Sequence, residues 1–326
     1  MSITLGIDIS KDKFDVCILK EDGSLRTQAF KNTGSGFKKL GYLIKKENIV
    51  YAGLESTGVY GENLCQFLYD KGYKVFLLNP SQTHYYAKCM MKRTKTDQCD
   101  SKNIAQFIDL HKDELNLWKP KPQDSKIVQK LFKCVSNLKE DRLRVLGRIE
   151  ASSFGSENKR DSDLKIYLKQ QKWIEKQIEE VIEQIEKLIQ NSEYLKKKYD
   201  LLQSIPYVGR ITSLGLIAHL PDLENFKCAK KIVAYAGLNP AIRESGSSVK
   251  KKSTISKTGN KELRKILYMS SLSLKNKEKS FKSFVERLTE KGKKPKVIVV
   301  AVMHKLLRII FGVLKKGIPF NPEMIA

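Results

Sequence analysis

The stretch ITLGIDIS, residues 3–10, decides the fold of the N-terminal part of this chain. Aliphatic side chains alternate there with small or polar ones, and a period of two predicts a β-strand. The alternation KFDVCIL follows after a short turn, and the turn EDGS at 21–24 leads into a third extended segment at 25–31. We therefore predict a three-stranded antiparallel meander at the start of the chain.

Helical and extended patterns alternate beyond the meander. Strands are predicted at 49–55 and 74–78. Helices are predicted near 34–46, 60–72, 81–91 and 98–112. This order indicates a mixed sheet with helices on its faces, which places the N-terminal part of the chain in the α/β class.

The middle of the chain has a helical pattern after a proline-rich break at 118–125. Its clearest helix carries apolar side chains at alternating spacings of four and three residues, namely Ile174, Ile178, Val181, Ile185 and Leu188. That spacing is the seam of a coiled coil. It fits two arrangements, a helical hairpin within one chain and an interface between two chains.

The segment LLQSIPYVGRITSLGLIAHL, residues 201–220, begins a compact helical region. A short helix, a tight turn containing Gly209 and a second helix are close to a helix-hairpin-helix pattern, whose turn amides can hold a DNA phosphate. The turn has one glycine where such motifs often have two.

The charge of the chain points to a polyanionic partner. Its 326 residues suit two or three domains, and its formal net charge is +25. Residues 241–326 contain 21 Lys and Arg against 6 Asp and Glu, which is +15 of that total. A membrane surface is the competing partner, but the apolar run VIVVAVM at 297–303 is far shorter than the roughly 20 residues that span a bilayer. With no signal-like N-terminus either, we predict a cytoplasmic protein without a membrane partner.

Two further features limit the chemistry. The six cysteines form no CxxC pair and have no neighbouring histidine cluster, so we expect reduced core thiols and no zinc. No GxxxxGK[ST] motif is present that would bind a nucleoside triphosphate. Any reaction is therefore expected to run without ATP.

Four acidic residues from two predicted strands and one predicted helix are candidate catalytic and metal-binding residues, namely Asp8, Glu55, Asp97 and Asp100. Several have a plain structural alternative. Asp8 fits an exposed acid on a half-solvated sheet, Asp97 fits an N-cap, and Asp100 fits a first-turn acid.

Taken together, these carboxylates predict a Mg²⁺ site. A small hard cation prefers carboxylate oxygens, and two such ions can hold the attacking and leaving oxygens of a phosphoryl transfer. Without a cation, clustered acids would repel one another and raise their pKa values at a cost in stability. The adjacent basic residues Lys92, Arg93 and Lys95 suit a phosphate at the same place.

The stretch RESGSSVKKKSTISKTGN, residues 243–260, is rich in serine, threonine and basic residues. One interpretation is a solvated loop whose hydroxyls bond to nearby backbone. The other is a nucleophilic Ser245 with positive charge for the non-bridging phosphate oxygens. The predicted nucleic-acid-binding residues are Arg243, Lys250, Lys251, Lys252 and Lys257. Attack by Ser245 on a DNA phosphodiester would conserve the bond energy in a phosphoserine, so rejoining would need no ATP.

The chain resembles the IS110 (IS one-ten) insertion-sequence family of transposases, which is related to the Piv-type DNA invertases. The resemblance covers essentially the whole chain and is carried, in order, by GIDISKDKFDV, ESTGVYG, TKTDQCDSKNIA, SIPYVGRITS, AYAGLNP, RESGSSV and ISKTGNKELRKILY. The sequence departs from the family pattern at Tyr207-Val208, where Gly-Ile usually precedes the turn glycine. That departure bears on how the turn would hold a phosphate.

The resemblance implies three parts. These are an α/β RNase H-like (RuvC-like) domain at 1–115, a helical coiled-coil region at 116–200, and a mainly α-helical transposase domain at 201–326. It implies a DEDD set matching the four acidic residues, and it selects Ser245 over Ser247 and Ser248 as the nucleophile. It further implies a bridge RNA that pairs with target and donor DNA. Tetramers are implied as well, in which the RuvC-like domain of one subunit completes the site with the serine domain of another.

We therefore predict a Mg²⁺-dependent DNA recombinase, the transposase of an insertion sequence, that forms a homo-oligomer, either a dimer or a tetramer. Two alternatives stay open at this point. One is a RuvC-like nuclease that hydrolyses branched DNA with metal-activated water while Ser245 is structural. The other is a nucleic-acid-binding protein without enzymatic activity. The positive charge of the chain alone would explain such binding.

Overall fold

The structure is a computed structural model of the chain. It describes residues 3–56, 58, 60–91, 96–154, 162–223, 226–241, 244–245, 249–250 and 254–322, with the backbone alone for residues 162, 244–245 and 249–250. The chain divides into two compact units, Met1–Pro120 and Lys121–Ala326. The predicted boundary at 115 lies close to this division. The predicted boundary at 200 falls inside the second unit and stays a prediction.

The first unit is built on a five-stranded sheet in the order β3-β2-β1-β4-β5. Its strands are β1 (Thr4–Ile9), β2 (Lys13–Leu19), β3 (Leu25–Lys31), β4 (Tyr51–Glu55) and β5 (Lys74–Leu78). Its helices are α1 (Gly34–Lys46), α2 (Glu62–Asp70), α3 (Pro80–Cys89) and α4 (Asp97–His111). The meander β1–β3 is antiparallel, whereas β4 is parallel to β1 and β5 is parallel to β4. The predicted mixed α/β sheet is confirmed, and its topology fits the RNase H-like class.

Both faces of β1 are covered, which differs from the expectation of a half-solvated sheet. Its aliphatic face packs into the core with Leu5 and Ile7 fully buried, and Thr4 on the other face is fully buried as well. The second face is covered by α4, because Gly6 has no side chain to hold the helix away. A Cβ at Gly6 would lie 2.1 Å from the carbonyl oxygen of Ser101 in α4. The interpretation of Asp8 as an exposed surface acid was therefore wrong.

The second unit is mostly helical. Its helices are α5 (Gln123–Ser153), α6 (Ser162–Asn191), α7 (Glu193–Gln203), α8 (Arg210–His219), α9 (Ala229–Tyr235), α10 (Lys261–Lys277), α11 (Lys279–Glu290) and α12 (Pro295–Lys316). Four two-residue strands separate α9 from α10, namely β6 (Pro240–Ala241), β7 (Glu244–Ser245), β8 (Val249–Lys250) and β9 (Thr254–Ile255). The helical character of this part is as predicted.

The predicted apolar seam of α6 packs inside its own chain. Ile174, Ile178 and Ile185 are buried in a cluster with Phe132 and Val135 of α5. Two positions outside the predicted stripe also belong to this cluster, because a helix of 3.6 residues per turn drifts away from a strict heptad. They are Ile182 and Ile189. The packing fits the hairpin arrangement, and a coiled coil stays a prediction.

The core of the remaining helices is centred on α12. Of the described helices, α12 alone is long and apolar enough to cross a membrane, at a mean hydropathy of 2.2, and 56% of that stretch is buried within the chain. Its inner face, which includes Val302, Leu306 and Ile310, is fully buried against α9 and α10. We therefore treat α12 as the core helix of the second unit.

The cysteine expectation was partly wrong. All six cysteines are free, but only Cys17 and Cys65 are buried. Cys89, Cys134 and Cys228 are exposed. These three cysteines lie on helix surfaces or at the start of a helix, so they are not the core thiols that we predicted.

The turn between α7 and α8 follows the predicted helix, turn and helix pattern. Val208 is buried, and Gly209 is the N-cap of α8 without a side-chain hydrogen bond. Tyr207 has a φ of 60°, a left-handed conformation that glycine adopts at little cost. The family pattern places a glycine there, whereas this chain has a tyrosine in the left-handed conformation. Phosphate binding by this turn stays a prediction.

Candidate active site

Asp8 lies near the C-terminal end of β1 and is half-buried beneath α4. In the antiparallel register, Asp8 stands directly opposite Asp15 of β2. Asp15 is only 6% exposed, so a second carboxylate is buried next to the first. Like charges directly opposite each other destabilise a strand pair, so this pairing has a cost for folding.

Glu55 is the last residue of β4, on the opposite side of β1 from β2. The parallel register pairs Ile7 with Leu54, which places Glu55 beside Asp8 at the same end of the sheet. The buried hydroxyl of Thr83 in α3 donates a hydrogen bond to Glu55 Oε1. This bond fixes the carboxylate of Glu55 at the sheet edge.

Asp97 and Asp100 lie in the first turn of α4, one helical turn apart. The N-cap is Thr96, whose hydroxyl accepts a hydrogen bond from the amide of Cys99, so the interpretation of Asp97 as the N-cap was wrong. Asp97 is exposed and Asp100 is half-buried. Because α4 packs across β1 at Gly6, the acids at the N-terminus of α4 lie near Asp8.

Lys13 bridges two of the acidic side chains. Its Nζ lies 2.8 Å from Asp97 Oδ2 and 3.1 Å from Asp15 Oδ2. The hydrogen bond from Lys13 lowers the pKa of Asp97, and the same bond raises the pKa of Lys13. A cation of the protein itself thus offsets part of the negative charge at this sheet edge.

The pKa of the Asp8 carboxyl group shows the effect of the neighbouring acids. Burial and, to a smaller extent, the charges of the other acids together raise its pKa to about 6. Those acids are, in decreasing order of effect, Asp100, Asp97, Glu55 and Asp15. The other three predicted acids of the first unit therefore lie close enough to Asp8 for their charges to act on it.

The donor set fits a hard divalent cation. Carboxylate oxygens are the ligands that Mg²⁺ prefers, and a bound cation would relieve the mutual repulsion of these acids. In the described residues, no three Asp, Glu, His or Cys side chains stand close enough to hold a metal ion as they are. Lys13 holds Asp97 in an ion pair instead.

Ser245 lies in the second unit, in strand β7. It pairs with Val249 of β8, and outside this pair β6 pairs with β9, so the serine-rich stretch folds as two nested antiparallel pairs. We call residues 240–255 the serine ribbon. The helices on either side of the ribbon are linked, because Arg264 of α10 donates a hydrogen bond to the carbonyl oxygen of Ala236 at the end of α9, at 2.8 Å.

Only two of the predicted nucleic-acid-binding residues lie within the part of the chain that the structure describes. Arg243, Lys251 and Lys252 lie outside the described residues, as do Lys92, Arg93 and Lys95 of the first unit. Lys250 lies in β8, and Lys257 is exposed just beyond the serine ribbon with a φ of 56°. The nucleic-acid-binding role of these residues stays a prediction.

Sequence reasoning missed Lys13 and Asp15. The signal was present, because a tight turn between two strands fixes the cross-strand pairs. Once ITLGIDIS and KFDVCIL are paired as a hairpin, Asp15 falls opposite Asp8. The contact from Lys13 to Asp97 depends on how α4 packs, and no pattern within the strands predicts it.

Two family models match this chain. One, described as a transposase, matches residues 5–152, and the other, described as transposase IS116/IS110/IS902 family, matches residues 199–286. Together they include all four predicted acids and Ser245.

The chain is also similar to curated proteins over nearly its whole length. The pilin gene-inverting protein of Moraxella bovis is 32% identical over 98% of both chains, and so is that of Moraxella lacunata. An insertion element IS110 protein of Streptomyces coelicolor is 25% identical over 39% of this chain and 31% of its own length. The solved structure of Thermus thermophilus RuvC matches 36% of this chain and 99% of its own, with a TM-score of 0.27 and 10% identity.

Proposed function

This chain belongs to the IS116/IS110/IS902 family of transposases, and from that membership we propose a DNA recombinase that cuts and rejoins strands through a phosphoserine at Ser245. The observation that carries the proposal is the convergence of carboxylates on Asp8, whose pKa they and its burial raise to about 6. Acidic side chains gathered in this way are costly for folding even with Lys13 beside them, so we assign them a catalytic purpose.

The acidic side chains supply a binding site for Mg²⁺ and an acceptor for a proton. Asp8, Glu55, Asp97 and Asp100 would hold the metal, which when bound would stabilise negative charge on the phosphate. Thr83 orients Glu55, and a carboxylate oxygen of this cluster that the metal leaves free would accept the serine proton. The ion pair between Lys13 and Asp97 must open when Asp97 binds the metal.

Ser245 is the proposed nucleophile. Its Oγ forms a bond to phosphorus while the bond from phosphorus to a deoxyribose oxygen breaks. The serine proton passes to a carboxylate, and that carboxyl group passes a proton on to the departing oxygen, which leaves as a hydroxyl. Attack by that or another deoxyribose hydroxyl on the phosphoserine reverses these bond changes and restores a phosphodiester. The number of phosphodiester bonds is conserved, which fits a chain without a nucleotide-binding motif.

The partners follow from charge and from the family. Donor and target DNA are the proposed substrates, and the +15 charge of residues 241–326 suits their phosphates. The relatives named as pilin gene-inverting proteins favour a reaction that rejoins the strands it cuts. A bridge RNA and a homo-oligomer are also part of the proposal, on the basis of the family resemblance.

A trapping experiment tests the proposal. The purified chain is incubated with Mg²⁺, a plasmid carrying the ends of its insertion sequence and the RNA transcribed from the adjacent non-coding segment, then denatured and resolved on a gel. We expect a protein–DNA adduct that is lost in Ser245→Ala and falls at least about 100-fold in Asp8→Asn.

The same loop provides matched controls. Ser247→Ala and Ser248→Ala remove neighbouring hydroxyls and should leave the adduct unchanged. Free DNA ends without an adduct, made equally well by Ser245→Ala, would contradict the proposal and favour hydrolysis by a RuvC-like nuclease. Rearrangement that proceeds unchanged in Asp8→Asn would contradict the role of the acids.

A further inference from the structure

A deep groove in the second unit has no role in the chemistry above. It holds about 1450 Å³ and lies among α11, α12 and the root of the serine ribbon. The ribbon contributes Pro240, Thr254 and Ile255 to the lining. We call this feature the α12 groove.

One face of α12 lines the groove along most of its length. Val297, Ala301, His304, Arg308 and Gly312 recur at spacings of three or four and all line it, while the opposite face of the helix is buried in the core. A helix of 22 residues extends about 33 Å, so the lined face is several nucleotides long. The groove therefore suits an extended ligand more than a compact one.

The rim of the groove is strongly cationic. Eight of its lining side chains are lysine or arginine, and no lining residue among those described is acidic. None of the eight forms an ion pair with a described acidic residue. Desolvation lowers the pKa of Lys305, and the nearby charges of Arg287 and Arg308 lower it further. Cations gathered this closely without counter-charges favour an anionic ligand.

The floor of the groove is apolar. Val297 is 50% exposed there, and it is joined by Val300, Ile255 and the rings of Phe284 and Phe311. The Nζ of Lys305 lies 4.9 Å from the ring centroid of Phe284, so cation and ring meet at the side of the groove. Duplex DNA keeps the faces of its bases stacked inside the helix, whereas an unpaired strand has both phosphates for the rim and base faces for the floor.

We propose that the α12 groove binds an unpaired nucleic-acid strand, DNA or RNA, and directs it toward the serine ribbon. The path follows from the chain itself, because β6 lines the groove and Ser245 in β7 lies four residues beyond Ala241. The proposal rests on the proposed function, since it gives a cut or displaced strand a place at the root of the ribbon that carries the nucleophile. It goes beyond that function in naming a surface and the unpaired state of the ligand.

Binding measured without metal or chemistry tests this inference. The full chain is titrated in EDTA against fluorescent 20-nucleotide oligothymidylate, 20-nucleotide oligouridylate and a 20-base-pair duplex, and anisotropy is followed at several salt concentrations. The Arg287→Gln/Arg308→Gln variant removes two exposed rim cations. We expect a loss of about tenfold in affinity for single strands at 0.1 M salt and a salt slope reduced by about 1.4. The two single-stranded probes show whether the groove prefers DNA or RNA.

A charge-matched control and a floor variant complete the design. Lys169→Gln/Lys172→Gln removes two exposed lysines of α6 outside the groove and should change single-strand affinity less than twofold. Val297→Asn should weaken single-strand binding severalfold with an unchanged salt slope, and duplex binding should not respond. The wild type and Ser245→Ala should bind alike, so failure of the serine chemistry would not affect this result.

Three results would overturn the inference. They are equal losses in the two double variants, a duplex bound as sensitively to Val297→Asn as the single strands, and groove-dependent binding to vesicles of anionic phospholipid but not to oligonucleotides. Circular dichroism of each variant confirms that it is folded before binding is compared.

Discussion

At the residue scale, the acidic side chains of the first unit reduce the stability of the fold that holds them. Asp8 faces Asp15 across the strand pair, and both are at least partly buried. Among the described residues, Lys13 is the one cation in contact with two of these acids, Asp15 and Asp97. A residue set selected for stability alone would not keep so many carboxylates together, because each raises the energy of the others' charged forms.

The repulsion among these acids predicts that the free energy of unfolding depends on pH. The pKa of Asp8 rises from 3.8 to about 6 in the folded chain, so folding takes up a proton between those values. Stability therefore falls as pH rises from about 4 to 6, and the full penalty is present above pH 6. Because Asp8 is partly solvated, we expect Asp8→Asn to raise the free energy of unfolding by about 1–2 kcal/mol at pH 7.5 and by nearly nothing at pH 4.

Urea titrations in EDTA at the two pH values measure this difference. Asp113→Asn removes an exposed carboxylate of the same unit outside the cluster and should have little effect at either pH. With Mg²⁺ present, the order at pH 7.5 should reverse, because the wild type gains binding energy that Asp8→Asn lacks. A variant that is no more stable than the wild type at pH 7.5 would contradict the assigned charge repulsion.

Much of the site could be predicted from the sequence, because its acids stand at recognisable places. Asp8 interrupts an apolar strand, and Asp97 and Asp100 share one face of a helix start. What could not be predicted is the contribution of Lys13. Its contact with Asp97 joins two elements that are far apart in sequence, and only the packing of α4 brings them together.

At the element scale, the close approach of α4 to β1 positions half of the acidic site. The approach depends on Gly6, since a Cβ there would lie 2.1 Å from the Ser101 carbonyl oxygen and 2.3 Å from the Ala105 amide nitrogen. Both are backbone atoms of α4, so they cannot move aside without moving the helix. The strand pattern predicted Gly6 on a polar face, and the structure gives that face to a helix.

We predict that Gly6→Ala lowers the free energy of unfolding by about 3 kcal/mol, because the new methyl group displaces α4. The displacement moves Asp97 and Asp100 away from Asp8, so the pKa of Asp8 should fall toward its ordinary value. Urea unfolding measures the first effect, and carboxyl chemical shifts followed by NMR measure the second.

Gly147→Ala is the matched control for this substitution. Gly147 is exposed in α5 with no atom within 4 Å of a built Cβ, so alanine should stabilise the chain by about 0.5–1 kcal/mol. A Gly6→Ala variant as stable as the wild type would show that α4 does not depend on this contact.

The elements themselves were predictable because their signals are local. Strand alternation, helix periodicity and the Pro-rich break lie within windows of a few residues, and the structure places the elements of the first unit within a few residues of their predicted bounds. The burial of Ile182 and Ile189 and the nested pairs of the serine ribbon were not predicted. The ribbon strands are two residues long, which is too short for a periodic pattern.

At the scale of the whole molecule, the residues of the proposed reaction are divided between two units. The acids belong to Met1–Pro120 and Ser245 belongs to Lys121–Ala326, and each unit has hydrophobic clusters of its own. The charge is divided as well, since the acidic cluster lies in the first unit and most of the net positive charge lies in the C-terminal part of the second. The proposed reaction therefore uses residues of both units, and the family resemblance implies that these residues come from different subunits.

Mixing two inactive variants tests that arrangement. We predict that Asp8→Asn and Ser245→Ala chains, each inactive alone, form the protein–DNA adduct when they are combined before DNA is added. In a site shared between subunits, the intact acids of the Ser245→Ala chain meet the intact serine of the Asp8→Asn chain. The adduct should then contain only Asp8→Asn chains, which mass spectrometry identifies. A mixture that stays inactive, although size-exclusion chromatography with differently tagged chains shows that mixed oligomers form, would place the acids and the serine of each site in one subunit.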